Sequence, residues 1–327
     1  MSDYLVEVKN LTKHFPIHGG IFYKQIGKVH ALNGVDFKIK RGETLGVVGE
    51  SGCGKSTLGK TLLRLYDPTD GKILFEGEDL CSLDKKQLRD KRRHLQMIFQ
   101  DPYESLNSRH TIRKILIEPF IIHNIGDRES RIEEVKKLLK RVGLPESSLD
   151  RFPHEFSGGQ RQRIGIARAI ALQPKLIMCD EAVSALDVSV QSQVLNLLVD
   201  LQNEMNLTYI FISHDLSVVK HVSDRIIVMY LGHIVEIADA AEIYKNPQHP
   251  YTKALLSSIP VPDPTVRNEK QILEGDIPSP QNPPPGCTFH TRCPLATERC
   301  KKEIPRLKAI GNQSADVHSA ACFEVEK

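Results

Sequence analysis

The sequence predicts an α/β fold with a parallel-sheet core, an antiparallel β subdomain, a helical subdomain and a loop-rich, cysteine-containing C-terminal appendage. Three apolar runs carry that expectation. Thr44 to Val48 leads into Gly49-Glu50-Ser51-Gly52-Cys53-Gly54-Lys55-Ser56, and Ser56 to Leu65 continues with helical character. Leu176 to Cys179 is apolar throughout, as expected of a strand buried on both faces, and ends in Asp180-Glu181. Thr208 to Ile212 repeats that design, with His214 just beyond. A strand, a glycine loop and a helix start turn the positive end of a helix toward phosphate. Carboxylates at the C-terminal ends of parallel strands lie where open α/β sheets bind ligands.

The elements follow in order. Residues 5–48 alternate apolar and polar with turns between them, an antiparallel β entry, with Pro16 to Gly27 reading as a loop insertion. The pattern G-x-x-x-x-G-K-[ST] at residues 49–56 needs glycines so that backbone N–H groups can close around phosphates, a lysine to reach them and a hydroxyl for Mg²⁺. Residues 101–170 are expected to form the helical subdomain. Ile132, Val135, Leu138 and Leu139 make a packing stripe there, and Val194, Leu198, Leu201 and Met205 make another further on. Arg225 to Ile237 reads as a β-hairpin about Leu231-Gly232. Composition shifts after about residue 240. Asn246-Pro247-Gln248-His249-Pro250-Tyr251 launches a short helical segment, Thr252 to Ser258, and a stretch with Pro260, Pro262, Pro264, Pro278, Pro280 and Pro283 to Pro285 follows. Such a stretch cannot continue a parallel sheet. Two domains are therefore expected, 1–240 and 241–327, with no internal repeat.

Composition bounds the function. Lys+Arg 44 against Asp+Glu 41 leaves a net charge of +3, too balanced for a nucleic-acid or anionic-membrane footprint. No apolar run approaches the ~20 residues needed to span a bilayer. The start, Met1-Ser2-Asp3-Tyr4-Leu5, lacks the basic and apolar regions of a signal peptide. Four of the seven cysteines, Cys287, Cys293, Cys300 and Cys322, fall late in the chain. In a reducing compartment such a cluster reads as metal binding before bridging.

Together with Ser157-Gly158-Gly159-Gln160, the residues 49–56, Asp180-Glu181 and His214 resemble, in that order, the ATP-binding cassette family. The resemblance implies roles. Lys55 looks like the Walker A lysine within a phosphate loop of Gly49, Glu50, Ser51, Gly52, Cys53 and Gly54, with Ser56 and Thr57 beside the metal and the phosphates. Gln100 resembles the Q-loop glutamine that touches Mg²⁺ and the attacking water. Ser157, Gly159 and Gln160 resemble the signature motif, preceded by Phe156 where leucine is usual. Asp180 matches the Walker B aspartate in the Mg²⁺ shell, Glu181 the catalytic glutamate, Ser184 to Asp187 the D-loop and His214 the switch histidine. Ala182-Val183 departs from the usual Pro-Thr. Phe15 occupies the position of the adenine-stacking ring; Tyr23 is the other ring available, and a β-core role is the plain alternative for Phe15. Phosphoryl transfer asks mainly for positioning and charge stabilisation, which this set supplies.

Gln100-Asp101-Pro102-Tyr103-Glu104-Ser105-Leu106-Asn107, Val183 to Ser189 and His249-Pro250-Tyr251 narrow the resemblance to the ATPase subunits of bacterial dipeptide and oligopeptide importers, in the peptide/nickel group. The cofactors implied are ATP and Mg²⁺. The partners implied are a sister ATPase subunit in a heterodimer (a homodimer in isolation being the alternative), two membrane permeases and an external solute-binding protein, with no nucleic acid. The place implied is the cytoplasmic face of the cell membrane, as a peripheral subunit. Asp101 to His110 would line the groove for a permease coupling helix, with Tyr103 and Leu106 packing there and Arg109 pairing with acidic residues. His249-Pro250-Tyr251 reads as a fixed turn without chemistry. The spacing C-x5-C-x6-C-x21-C leaves a [4Fe–4S] cluster and Zn²⁺ both open, with His290 and His318 as substitute ligands; the importer resemblance implies the cluster on Cys287, Cys293, Cys300 and Cys322. An importer ATPase for nickel or another small solute, and a non-transport cassette ATPase, are the alternative functions.

Overall fold

The computed structural model describes residues 3–19, 24–259, 273, 275–311 and 318–325. The chain divides into two compact units: Met1–Lys40, Thr44–Cys81 and His214–Lys327 form one, and Arg41–Glu43 with Ser82–Ser213 the other.

In the first unit an antiparallel sheet runs Lys24–Lys40, Tyr4–Gly19, Asp70–Phe75, Glu78–Asp79. The ladder between its two long strands extends from Tyr4 opposite Lys40 to Gly19 opposite Lys24, with register shifts on the way. Pro16 faces Lys28 and Ile17 faces Gly27, so the described ends of the expected loop insertion, 16–19 and 24–27, are paired strand. Proline is tolerated beside such irregularities because a disrupted ladder needs fewer donors. Tyr23 lies outside the described residues.

The same unit holds the buried strand Thr44–Val48, paired in parallel with Arg225–Tyr230. That strand turns back as His233–Asp239. Leu231 and Gly232 have φ of 42° and 77°. Two positive φ angles are what a tight hairpin turn of the right twist requires, so the expected hairpin forms. The C-terminal segment was expected to be loop-rich, but it also adds strands: His318–Ala320 lies antiparallel on His233–Asp239, and Lys308–Ala309 on His318–Ala320. Runs this short carry no readable alternation.

In the second unit Leu95–Ile98, Leu176–Asp180 and Thr208–Ile212 pair in parallel, with Ile98 beside Cys179 and Cys179 beside Phe211. Every residue of the last two strands is buried, which accounts for their continuous apolar sequence. Helices Ile112–Ile122, Arg128–Arg141, Gly158–Ile170 and Val188–Met205 belong to this unit. The predicted stripes face inward: Val135, Leu138 and Leu139 are buried on one helix, Val194, Leu198 and Leu201 on another.

Candidate nucleotide site

The first unit carries the glycine loop, residues 49–54, between the Thr44–Val48 strand and the helix Lys55–Leu62. Gly54, the residue before the helix, has φ of 108°, and a Cβ there would stand 2.4 Å from the Ala31 carbonyl oxygen. A Cβ on Gly49 would stand 2.3 Å from the Met229 carbonyl oxygen. Only glycine fits either place, and the loop can therefore curl tightly against the backbone of its neighbours. Lys55 is 5% exposed, and its Nζ donates to the carbonyls of Gly49 at 2.8 Å and Glu50 at 3.0 Å. Cys53 is buried, and burial raises its thiol, which makes it inert packing rather than a nucleophile. Ser51 and Gly52 are exposed, while Ser56 and Thr57 are half-buried in the first helical turn.

Two more expected residues lie in this unit. Phe15 is half-buried rather than a sealed core ring; it meets Tyr66 edge-on at 5.3 Å, and Lys13 Nζ lies 4.8 Å from its centre. His214 is exposed and directly precedes Asp215, whose carboxylate caps the helix Leu216–Val222 by accepting from the Ser217 and Val218 N–H groups.

The second unit gathers Gln100, Asp180 and Glu181. The parallel pairing brings the ends of Leu95–Ile98 and Leu176–Asp180 together, and just beyond them Gln100 Nε2 donates to Glu181 Oε2 at 2.9 Å. Asp180 is 5% exposed at its strand end. Glu181 has φ of 49°, an uncommon conformation for a residue with a side chain. Its N–H donates to the Ile212 carbonyl at 3.0 Å, and its own carbonyl accepts from Ser184 N and Oγ. The glutamate is thus fixed at the backbone and oriented at its carboxylate. Ala182 and Val183 are both 2% exposed and serve as packing.

Ser157 caps the helix Gly158–Ile170 in a reciprocal box: the Gln160 N–H donates to Ser157 Oγ, and the Ser157 N–H donates to Gln160 Oε1. Gly159 is buried, and a Cβ there would stand 2.3 Å from Val190 Cγ1, so it is needed for helix packing. Phe156 is also buried, with the Arg151 guanidinium 4.4 Å from its ring centre. In the 101–110 stretch Tyr103 is 63% exposed with Arg161 stacked 3.9 Å from its ring centre, whereas Leu106 is 3% exposed and belongs to the core.

Among the described residues no three or more His, Cys, Asp or Glu side chains form a group that could hold a metal ion. The expected thiolate set is therefore not assembled. Cys287, Cys293, Cys300 and Cys322 do share a neighbourhood: Cys287 N donates to the Cys300 carbonyl at 2.8 Å, and each of the other three sulfurs acts on the Cys287 thiol. Burial pushes that thiol up to about 11 and raises Cys293 and Cys322 as well. His318 is engaged elsewhere, its Nε2 bonding the buried Glu236 carboxylate at 2.8 Å. Sequence spacing missed two contacts on the glycine loop, from Tyr251 and Arg292 to Glu50. The His249-Pro250-Tyr251 motif was a signal for the first; nothing marked the second.

Residues 32–184 match the family model for the ABC transporter, and residues 235–300 match that for the oligopeptide/dipeptide transporter C-terminal region. The chain is 56% identical over 324 residues to the oligopeptide transport ATP-binding protein AppF of Bacillus subtilis, spanning 98% of this chain and 97% of that protein. The chain belongs to the ABC transporter family. It is also 54% identical to a probable peptide ABC transporter ATP-binding protein of Sinorhizobium fredii, over 94% of this chain and 87% of that one. Among solved structures it resembles the cassette MJ0796 in a dimeric post-hydrolysis state bound to ADP and Pi, with TM-score 0.64, 30% identity, and coverage of 72% of this chain and 98% of that one. The fold of the ABC transporter chain is accordingly the α/β ATPase fold of these neighbours. Among its described residues no helix is long and apolar enough to cross a membrane.

Proposed function

We propose that the chain is the ATP-hydrolysing subunit of an ABC importer of dipeptides and oligopeptides. The observation that carries this is the near full-length identity to an oligopeptide transport ATP-binding protein, which includes the C-terminal region. The alternatives are an importer ATPase for nickel or another small solute and a non-transport ATPase. Solute choice within the proposal rests with the permeases and an external binding protein.

The residues fit Mg-ATP. The loop from Gly49 to Gly54 is open to phosphate at a helix start, and Lys55 carries the cation among its carbonyls. Ser56, Gln100 and Asp180 would hold Mg²⁺, which supplies charge neutralisation on the phosphates. Glu181 acts as the base or orienter for the attacking water, with Gln100 keeping its carboxylate in place. His214 acts as the γ-phosphate sensor, and Phe15 serves the adenine. Ser157 and Gly159, with Gln160, serve the nucleotide of a partner cassette, so that ATP closes a two-cassette sandwich and hydrolysis reopens it. The partner is a sister subunit, and the pair sits on two permeases at the cytoplasmic face of the membrane. The domain division at about residue 240 separates this machinery from the tail. A [4Fe–4S] cluster, or zinc, on the four late cysteines is the finer reading of that tail; the backbone bond that joins Cys287 to Cys300 supports it. Iron, sulfide and zinc assayed on anaerobically purified protein decide between those two and neither.

Two measurements test the main proposal. Deleting the gene should abolish growth on peptides as sole source of a required amino acid, with rescue by the wild-type chain and none by Glu181→Gln. In purified assembled transporter, Glu181→Gln should retain ATP binding and lose at least about 100-fold in turnover, the scale of positioned general-base catalysis. Peptide uptake untouched by the deletion, with nickel uptake lost, would give the function to the alternative.

A further inference from the structure

Glu50, the second residue of the phosphate loop, is gripped at all three of its polar groups. Its N–H donates to Tyr251 Oη at 2.8 Å. Its carbonyl accepts from Lys55 Nζ at 3.0 Å and from the Cys53 N–H at 3.2 Å. Its carboxylate takes both arms of the Arg292 guanidinium, Nη1 to Oε2 at 2.8 Å and Nη2 to Oε1 at 3.1 Å. Two of these grips come from the C-terminal segment, 201 and 242 residues further along the chain, and all the groups belong to one compact unit.

The anchors behind them are rigid. Tyr230, Tyr251 and Phe289 are fully buried and pack as one aromatic cluster, with ring centres 4.8, 5.2 and 5.4 Å apart. The Arg292 N–H donates to the Phe289 carbonyl at 3.0 Å, and its guanidinium lies 6.0 Å from the Tyr230 ring centre. The arginine side chain is 7% exposed and the glutamate 22%, so the fork is largely shielded from water. A two-armed pair in that setting is among the strong polar contacts. A carboxylate in a loop built to receive phosphate would otherwise oppose its ligand, and the opposed guanidinium cancels it.

We propose that Tyr251 and Arg292 are positioning residues for nucleotide: through Glu50 they set the shape and charge of the phosphate loop, so that the C-terminal segment tunes ATP affinity. One of the two carbonyls that receive Lys55 Nζ belongs to the residue the tail holds, so a shift of Glu50 moves a partner of the phosphate-binding amine. The inference rests on reading Gly49–Ser56 as the phosphate loop. Lys55→Ala tests that reading separately: it should abolish binding of a fluorescent ATP analogue, and intact binding would refute the loop assignment itself.

The coupling is tested by titrating the full chain with the same analogue. Arg292→Ala should weaken binding about tenfold, and Arg292→Lys, which keeps the charge but loses the fork, should fall between it and the wild type. Tyr251→Phe keeps the ring packing and removes only the acceptor for the Glu50 N–H; it should weaken binding roughly threefold. In a Glu50→Gln background Arg292→Ala should add little, because its route of action is already cut. In steady-state turnover KM for ATP should rise with Arg292→Ala while kcat at saturation holds near wild type, the pattern of lost uniform binding. Arg299→Ala, which breaks the exposed tail pair with Glu303, should change neither constant. Wild-type affinity in both Arg292→Ala and Tyr251→Phe, or an equal loss from Arg292→Ala with and without Glu50→Gln, would overturn the proposal.

Discussion

Gly159 illustrates how one residue can carry two constraints. The proposed role puts it against a partner cassette's nucleotide, and the local structure gives it a packing reason as well. Its missing Cβ lets the helix Gly158–Ile170 approach Val190 at a distance no side chain tolerates, 2.3 Å from Cγ1. Gly159→Ala should therefore destabilise the protein by about 1–3 kcal/mol, the range for overpacking a tight contact. Val190→Ala should restore most of that loss in a denaturant titration; no rescue would place the cost elsewhere. Glu181 shows the converse. The sequence marks its carboxylate, at the end of an apolar run, but nothing in the sequence marks its φ of 49°. A non-glycine residue in that region stores of order 1–3 kcal/mol and persists where the surroundings over-determine it. Here Ile212 and Ser184 do so.

At the scale of elements, legibility followed burial on two faces. Leu176–Asp180 and Thr208–Ile212 could be read from their apolar runs because parallel strands sealed on both sides have no polar alternation to confuse. The Leu231-Gly232 hairpin could be read because two apolar runs flank a glycine-containing turn. The long antiparallel ribbon could not: Pro16 to Gly27 suggested a loop, yet Pro16 pairs with Lys28, Ile17 with Gly27 and Gly19 with Lys24. Reading His249-Pro250-Tyr251 as a turn that launches a helix was right in form. His249 caps Pro250–Ser257 through Nδ1, which accepts the Tyr251 N–H at 3.1 Å. Burial lowers this histidine from 6.5 to about 4, so it stays neutral and keeps its acceptor. The folded state then binds fewer protons than the unfolded one between those values. Stability is full above about pH 6.5 and is lost as pH falls toward 4. His233, also lowered to about 4 by burial, adds to the same slope. His249→Asn supplies a capping acceptor that does not titrate. Its urea midpoint should fall less steeply over that window than the wild type's, and an identical slope would show that His249 is not the titrating group.

Across the whole chain, what the sequence left invisible is how the C-terminal segment is attached. Its cysteines and prolines gave a composition; among the contacts that attach it, one buried carboxylate reaches both of its ends. Glu236 is 0% exposed on the strand His233–Asp239. It accepts the Gln248 N–H at 2.7 Å, the His249 N–H at 2.9 Å and His318 Nε2 at 2.8 Å. These donors flank the segment at both ends, so a single side chain holds its start and its last strand. Burial alone would raise Glu236, but the His318 bond and the two backbone donors together hold it below the usual carboxylate range. A depressed carboxylate contributes stability above its unfolded value near 4.5 and loses it as pH falls through the lower, folded one. Glu236→Ala strips the acceptor from all three donors in a site closed to water. The expected loss is about 3–5 kcal/mol, as for one side of a buried pair removed. It should come with faster proteolytic cleavage after residue 240, while His318→Asn, which leaves the two backbone donors satisfied, should cost less. A Glu236→Ala chain that melts with the wild type and resists protease equally would mean that the segment is held by the aromatic cluster of Tyr230, Tyr251 and Phe289 instead, and that this carboxylate is a passenger in the sheet.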